Sequence, residues 1–198
     1  MTETMRSRRL AAGLLLALPA LAMAHTGTDA GQHHDATGAL AAGFAHPFTG
    51  LDHLAAMVAL GVWSAMTARR AWIAPLAFAG TLLVGALLGL AGVTLPAVEP
   101  MIAASLLVLG LLLATNARLP AAAGALMAAG FALFHGLAHG AELAGPTAAF
   151  ALIGMVAATA LLHGAGIGIG VLLRSRAAWL PRVAGAAVAL FGIALLVN

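Results

Sequence analysis

Six apolar stretches, residues 40–66, 72–90, 97–115, 119–143, 147–173 and 178–197, follow one another along this chain with only short breaks between them. Each approaches the ~20 residues that a helix needs to cross a bilayer core. Lipid offers no partner to a backbone N–H or C=O, so such segments cross as α-helices. Of the 198 residues, 63% are hydrophobic and 8% charged, and a soluble domain of that length has no use for so much apolar surface. The expected fold is an all-α membrane protein with six transmembrane helices. Pro75, Pro120, Pro146 and Pro181 fall at or near the starts of stretches, where a missing backbone donor costs least. The stretch 97–115 is the weakest, being short and carrying Pro96 and Pro100 at its start.

The amino terminus reads as a processing segment. Arg6, Arg8 and Arg9 precede an apolar run over 10–21, and Ala22-Met23-Ala24 supplies a small-residue cleavage site, the layout of a secretory signal peptide. Residues 1–24 are expected to be removed, leaving His25 first and outside. Residues 25–38 form a polar leader with Asp29, His33, His34 and Asp35, too hydrophilic to pack and expected to be disordered. Residues 39–198 are expected to make one six-helix transmembrane domain.

All nine basic residues are arginines, and their placement sets the orientation. With the mature start outside, Arg69 and Arg70 fall in the first inner turn, Arg118 in the second, and Arg174, Arg176 and Arg182 in or beside the last. The outer connections, 91–97 and 144–146, carry none. That sorting follows the positive-inside rule, with both mature termini periplasmic in a bacterial inner membrane. It also accounts for the formal charge of +3 without a nucleic-acid partner. The absence of cysteine removes disulfides, thiolate metal sites and a cysteine nucleophile.

Two polar clusters interrupt the apolar stretches. The first runs His46-Pro47-Phe48-Thr49-Gly50-Leu51-Asp52-His53, the second Phe134-His135-Gly136-Leu137-Ala138-His139-Gly140-Ala141-Glu142. Ionisable groups inside a membrane are expensive, and they mark substrate or ion pathways. Imidazole and carboxylate together are a ligand set for a borderline divalent cation. His135, His139 and Glu142 stand at i, i+4 and i+7, one stripe near an outer helix end. Pro47 disfavours helical geometry at His46, so the first helix is expected to start or break there. Asp52 and His53 lie roughly 10 Å deeper by the helical rise, with Met57 a turn below. Gly50, Gly136 and Gly140 are expected to let the two cluster-bearing helices close on each other.

His163 stands apart, roughly 25 Å along the fifth helix by its rise. Gly164, Gly166, Gly168 and Gly170 follow it. No strand or Lys-Ser/Thr accompanies them, so they read as a packing face rather than a phosphate loop. His163 is either a hydrogen-bonded packing residue or the inner ligand of a pathway. Single buried histidines are often satisfied by a carbonyl and do nothing more, but five of them with Asp52 and Glu142 fit a pathway better. Met57 reads as core, and Trp63, Trp72 and Trp179 as interface anchors.

The segment from His46 to Met57, with Gly61 after it, resembles the first-helix signature of the HupE/UreJ family of hydrogenase and urease accessory proteins. The segment from Phe134 to Glu142 is similar to that family's second signature, and the likeness extends over the whole mature chain. Leu60 departs from the valine expected before Gly61. The resemblance implies a permease for Ni²⁺, or in some members Co²⁺, in which His46, Asp52, His53, His135, His139 and Glu142 are needed for transport. His163 is carried over less directly.

The expected activity is therefore secondary metal permeation, not enzymatic catalysis, with no catalytic residue and no permanently bound cofactor. No Walker motif is present, so a gradient, a coupled ion or a cytoplasmic sink must supply the energy. Histidine–carboxylate sites follow the general divalent affinity order, so Cu²⁺ and Zn²⁺ stay open as substrates. The expected partners are the metal ion, the lipid bilayer and a cytoplasmic metallochaperone that receives the ion. Two other classes share these residues: a membrane cytochrome with bis-histidine haem, and a zinc-dependent intramembrane hydrolase using Asp52 or Glu142 as base.

Overall fold

A computed structural model describes residues 35–175, 177 and 179–197. Its helices are α1 (Ala36–Thr49), α2 (Leu51–Thr67), α3 (Ile73–Leu90), α4 (Val98–Thr115), α5 (Ala121–Glu142), α6 (Ala148–Leu173) and α7 (Trp179–Val197), with no strand among the described residues. Five of them, α3 to α7, are each long and apolar enough to cross a membrane, and α1 with α2, bent by 77° at their junction, passes the same test as a pair, for five to six spans. The protein is an all-α, multi-pass membrane protein, as its apolar stretches imply. The proposed signal peptide, His25, His33, His34 and Arg176 lie outside the described residues.

The first span departs from expectation in where it breaks. Pro47 lies inside α1, and the chain turns at Gly50, whose φ of −85° and ψ of 107° are extended. The His46 carbonyl, freed as α1 ends, accepts from Thr49 Oγ1 at 2.8 Å and from the Gly50 N–H at 3.4 Å. Proline costs only one helical bond, and at the turn the missing Cβ of Gly50 leaves room for Asp52 Oδ1 and His53 Nδ1, which a side chain there would crowd at 3.1 Å. α1 also begins inside the polar leader: Asp35 caps it, its carboxylate accepting from the Gly38 N–H at 2.6 Å. A cap of this kind satisfies one of the helix's orphan donors.

Between lipid-embedded helices there is little hydrophobic drive, so close backbone approach does the work. α3 packs along α5, α4 along α7, and α1 and α2 along α6. Each seam is lined by glycine. A Cβ at Gly136 would run into the Leu82 carbonyl, and one at Gly140 into the Ala86 carbonyl. These two glycines therefore bring in α3, and not the helix of the first cluster as expected. On α6 only half of the glycine series packs: Gly166 and Gly170 meet α2, while Gly164 and Gly168 face open space.

Trp63 corrects a further expectation. It is 3% exposed, and its indole N–H donates to the Ala117 carbonyl at 2.8 Å. It fastens the end of α2 to the turn before α5, while Trp72 and Trp179 are exposed as anchors should be. Arg69, Arg70 and Arg118 line one recess at that same end of the bundle. His46, Asp52 and Glu142 stand at the opposite ends of the helices concerned.

Candidate metal centre

The two clusters meet where the first span breaks. His46 comes from the last turn of α1, and His139 and Glu142 from the last turn of α5. His46 Nε2 lies 2.9 Å from His139 Nδ1 and 3.1 Å from Glu142 Oε2. His139 Nδ1 lies 3.7 Å from the same carboxylate oxygen. Three metal-ligating atoms, all within 4.8 Å of one another, thus converge from two helices. His139 is buried, while His46 and Glu142 are partly open, so the cluster has a closed inner wall and an outer mouth.

Asp52 and His53 form the next layer at the start of α2. The Asp52 Oδ1 accepts from the His53 backbone N–H at 2.8 Å and pairs with His53 Nδ1 at 2.9 Å. A carboxylate only accepts, so in the neutral imidazole Nδ1 carries the proton and Nε2 the lone pair. Both residues are buried, at 2% and 1% exposure. The break at Gly50 also places the first N–H groups of α2 beside Asp52, and a helix N-terminus favours a negative charge there. Ends of broken helices are where membrane transporters commonly build ion sites.

The rings continue inward as a file. His139 and His53 have centroids 4.2 Å apart, and His53 and His135 4.7 Å apart. His139 bridges the layers: Nδ1 faces the outer cluster, and Nε2 is buried without a hydrogen-bond partner. A bare nitrogen in so apolar a setting is a ready ligand for a cation, because nothing else offsets its desolvation.

His135 does not join the outer cluster, although it shares the i, i+4, i+7 stripe. Its Nε2 is 2.9 Å from Ser105 Oγ, and that hydroxyl donates to the Ile102 carbonyl at 2.6 Å. With its proton so used, Ser105 accepts from His135 Nε2–H, leaving Nδ1 as the basic nitrogen. Phe78 follows, its ring 5.5 Å from His135 and 5.2 Å from His163. Ser105 and Phe78 were not singled out by the sequence. Ser105 had one faint signal, a lone hydroxyl in the middle of the apolar run of α4; Phe78 had none.

All seven residues expected to be metal ligands have their places in this arrangement. His46, His139 and Glu142 form the outer cluster, Asp52 and His53 lie behind it, His135 is held on Ser105, and His163 lies beyond Phe78. Met57 is fully buried, as a core residue should be.

Fold and site together define a multi-pass helical membrane protein with a histidine–carboxylate centre at the break of its first span. The chain belongs to the HupE / UreJ family, whose model matches residues 13–195. Protein HupE of Rhizobium leguminosarum bv. viciae is 47% identical to it over 89 residues, 44% of this chain and 43% of that relative. The match thus spans less than half of that relative's length. No solved structure matches the chain.

Proposed function

We propose that this protein is a secondary permease that carries a divalent transition metal inward across the bacterial inner membrane, with Ni²⁺ the favoured substrate and Co²⁺ next. The observation that carries this reading is the convergence of His46, His139 and Glu142 on one point, backed by the Asp52–His53 pair. Two imidazoles and a carboxylate replace part of an ion's water shell, and an open mouth lets the ion reach them. Partial exposure of His46 and Glu142 suits a site that must also let go. Family membership and the likeness to HupE support a role in supplying metal for hydrogenase or urease maturation. On this reading both mature termini are periplasmic, the arginine-lined recess faces the cytoplasm, and a cytoplasmic metallochaperone takes the ion.

The haem alternative fits the site less well. Bis-histidine ligation needs a flat slot for the macrocycle between two axial nitrogens, whereas His46 and His139 touch at 2.9 Å with a carboxylate at the same point. No observation favours the hydrolase.

Metal uptake by cells expressing Asp52→Asn tests the proposal. The change keeps the side chain's size and removes the charge that a dication needs in an apolar surrounding. Uptake of Ni²⁺ and Co²⁺ is expected to fall by roughly 100-fold, the scale of leaving a buried ionic partner uncompensated. Wild-type uptake of Ni²⁺, Co²⁺, Cu²⁺ and Zn²⁺ by a properly inserted Asp52→Asn protein would refute the assignment.

A further inference from the structure

His163 lies deep in the bundle, on the far side of Phe78 from the clusters already described. Its Nδ1 is 2.9 Å from the Met57 carbonyl oxygen. A carbonyl only accepts, so Nδ1 carries the proton and the neutral ring keeps its lone pair on Nε2. Nε2 is buried and has no hydrogen-bond partner, in a residue 3% exposed. Packing alone does not call for a basic nitrogen held bare in an apolar core, since that desolvation is uncompensated. An imidazole oriented through Nδ1–H on a backbone carbonyl, with Nε2 presented, is the usual posture of a metal-ligating histidine.

A second side chain repeats the pattern independently. Thr159 stands one turn before His163 on the same face of α6 and is fully buried. A helical hydroxyl ordinarily donates back to a carbonyl of the preceding turn. Thr67, Ser105 and Thr115 do so here, on Trp63, Ile102 and Leu111, while buried Ser64, near the arginine-lined end of α2 and away from His163, does not. Thr159 Oγ1 has no partner at all.

Helix register places Thr159 at the level of the Asp52–His53 layer. Gly166 of α6 meets Val58 and Gly61 of α2, and Gly170 meets Val62 and Ala65, so the two helices run side by side in the same direction. Counting back along both, Thr159 falls level with the first turn of α2, which holds Asp52 and His53. His163 falls one turn deeper, beside Met57.

We propose that His163 Nε2, with Thr159 Oγ1 on the side facing the Asp52–His53 layer, forms a second metal station one turn below that layer, for a borderline divalent first-row cation. The inference rests on the permease reading above. Its distinguishing feature is that neither ligand is charged: α6 carries no acidic residue within its span, and the one on α2, Asp52, lies a turn above His163 and is paired with His53. An imidazole and a hydroxyl suit nickel- or cobalt-like ions. Without a carboxylate they hold a dication weakly, which is what a station for release toward the inner side requires.

Co²⁺ serves as the probe, through its visible absorption on titration into the purified, metal-free full chain and through uptake in cells. His163→Asn retains an N–H donor where Nδ1 stood, for the Met57 carbonyl, and removes Nε2. It is expected to keep the tight outer binding and the thermal midpoint, to lose a weaker absorbing component, and to take up Co²⁺ about tenfold more slowly. Thr159→Val, nearly the same shape, should weaken the same component and slow uptake less. Wild-type uptake by His163→Asn, or survival of the weaker component in it, overturns the inference. Should His163→Asn fail to fold, Thr159→Val decides alone, and wild-type behaviour there is equally fatal. His139→Gln runs alongside: unimpaired tight binding and uptake in that variant would sink the outer-site reading, a different result from either failure above.

Discussion

The outer and inner halves of the histidine file are built on different principles. At the outer end three helix termini meet: the last turn of α1, the first of α2 and the last of α5. His46 and Glu142 there are partly open, carboxylates are present, and the candidate ligands come from chain segments far apart. The inner half is assembled from two continuous helices, α2 and α6, pressed together at Gly61, Gly166 and Gly170. Its polar atoms are fully enclosed, and among them is no carboxylate. Helix ends supply mobility, dipoles and access to water, which suit capture. Glycine-knit helix centres supply rigidity and a dry wall, which suit a barrier that an ion crosses only by transfer between neutral ligands.

The largest expected effect comes from breaking the inner seam. A side chain at Gly61 would meet the His163 carbonyl and the Ile167 backbone nitrogen, neither of which can move without its helix. Gly61→Leu is expected to cost about 3 kcal/mol or more by overpacking. The variant should accumulate poorly and melt earlier in detergent. The same change at Gly164, which faces open space, should leave both yield and melting unaltered. Equal tolerance at the two positions would erase the contrast between the two halves.

Acidification should separate the halves next. Protons compete with metal for imidazole nitrogen, whose ordinary pKa is ~6.5, so neutral ligand is present above that region and lost as pH falls through it. On the proposed orientation the outer cluster faces the outside, so uptake should fall as the external pH is lowered, because protons compete with metal for its imidazoles. Initial rates measured at fixed internal pH provide the check, and a flat profile would remove histidine from the outer mouth.

Ser105→Ala asks a finer question. It removes the acceptor that holds His135 Nε2–H and so loosens the presentation of Nδ1 to His53's neighbourhood. Uptake is expected to fall by about tenfold, at the lower end for loss of an orienting partner, with tight outer binding retained. Should outer binding fall with uptake, His135 would belong with the outer cluster after all. The smallest effect is assigned to Trp63→Phe, which loses one hydrogen bond to Ala117 far from the outer site. About 1 kcal/mol of stability should go with it, read as a lower melting midpoint, while uptake per folded molecule stays level.

Much of this architecture is legible in the order of the residues. Six apolar stretches near bilayer length imply six helical spans whatever their packing, because backbone polar groups in lipid must be satisfied within the segment. The seven metal-ligand candidates stand out because charge and imidazole are rare among so many apolar neighbours. The stripe of His135, His139 and Glu142 follows from helical spacing alone. What spacing does not say is which members of the stripe act together. His139 and Glu142 meet His46, whereas His135 turns to Ser105, and that choice belongs to the neighbouring helices.

The break of the first span shows the same division. Pro47 marks the neighbourhood correctly, but the turn falls at Gly50, where the absence of a side chain leaves room for the Asp52–His53 pair. Trp63 reads as an interface anchor by position and is instead buried, because its end of α2 is covered by the turn before α5. Local composition and period are enough to set the class of fold, the approximate number of spans and the candidate ligands. Packing between helices settles the rest: which candidate ligands share a point, which nitrogen of each imidazole is presented, and that Thr159 lacks the bond that Thr67, Ser105 and Thr115 make. Those are properties of contacts across the bundle, and residues such as His46 and His139, which are distant in the chain, carry no local mark of meeting.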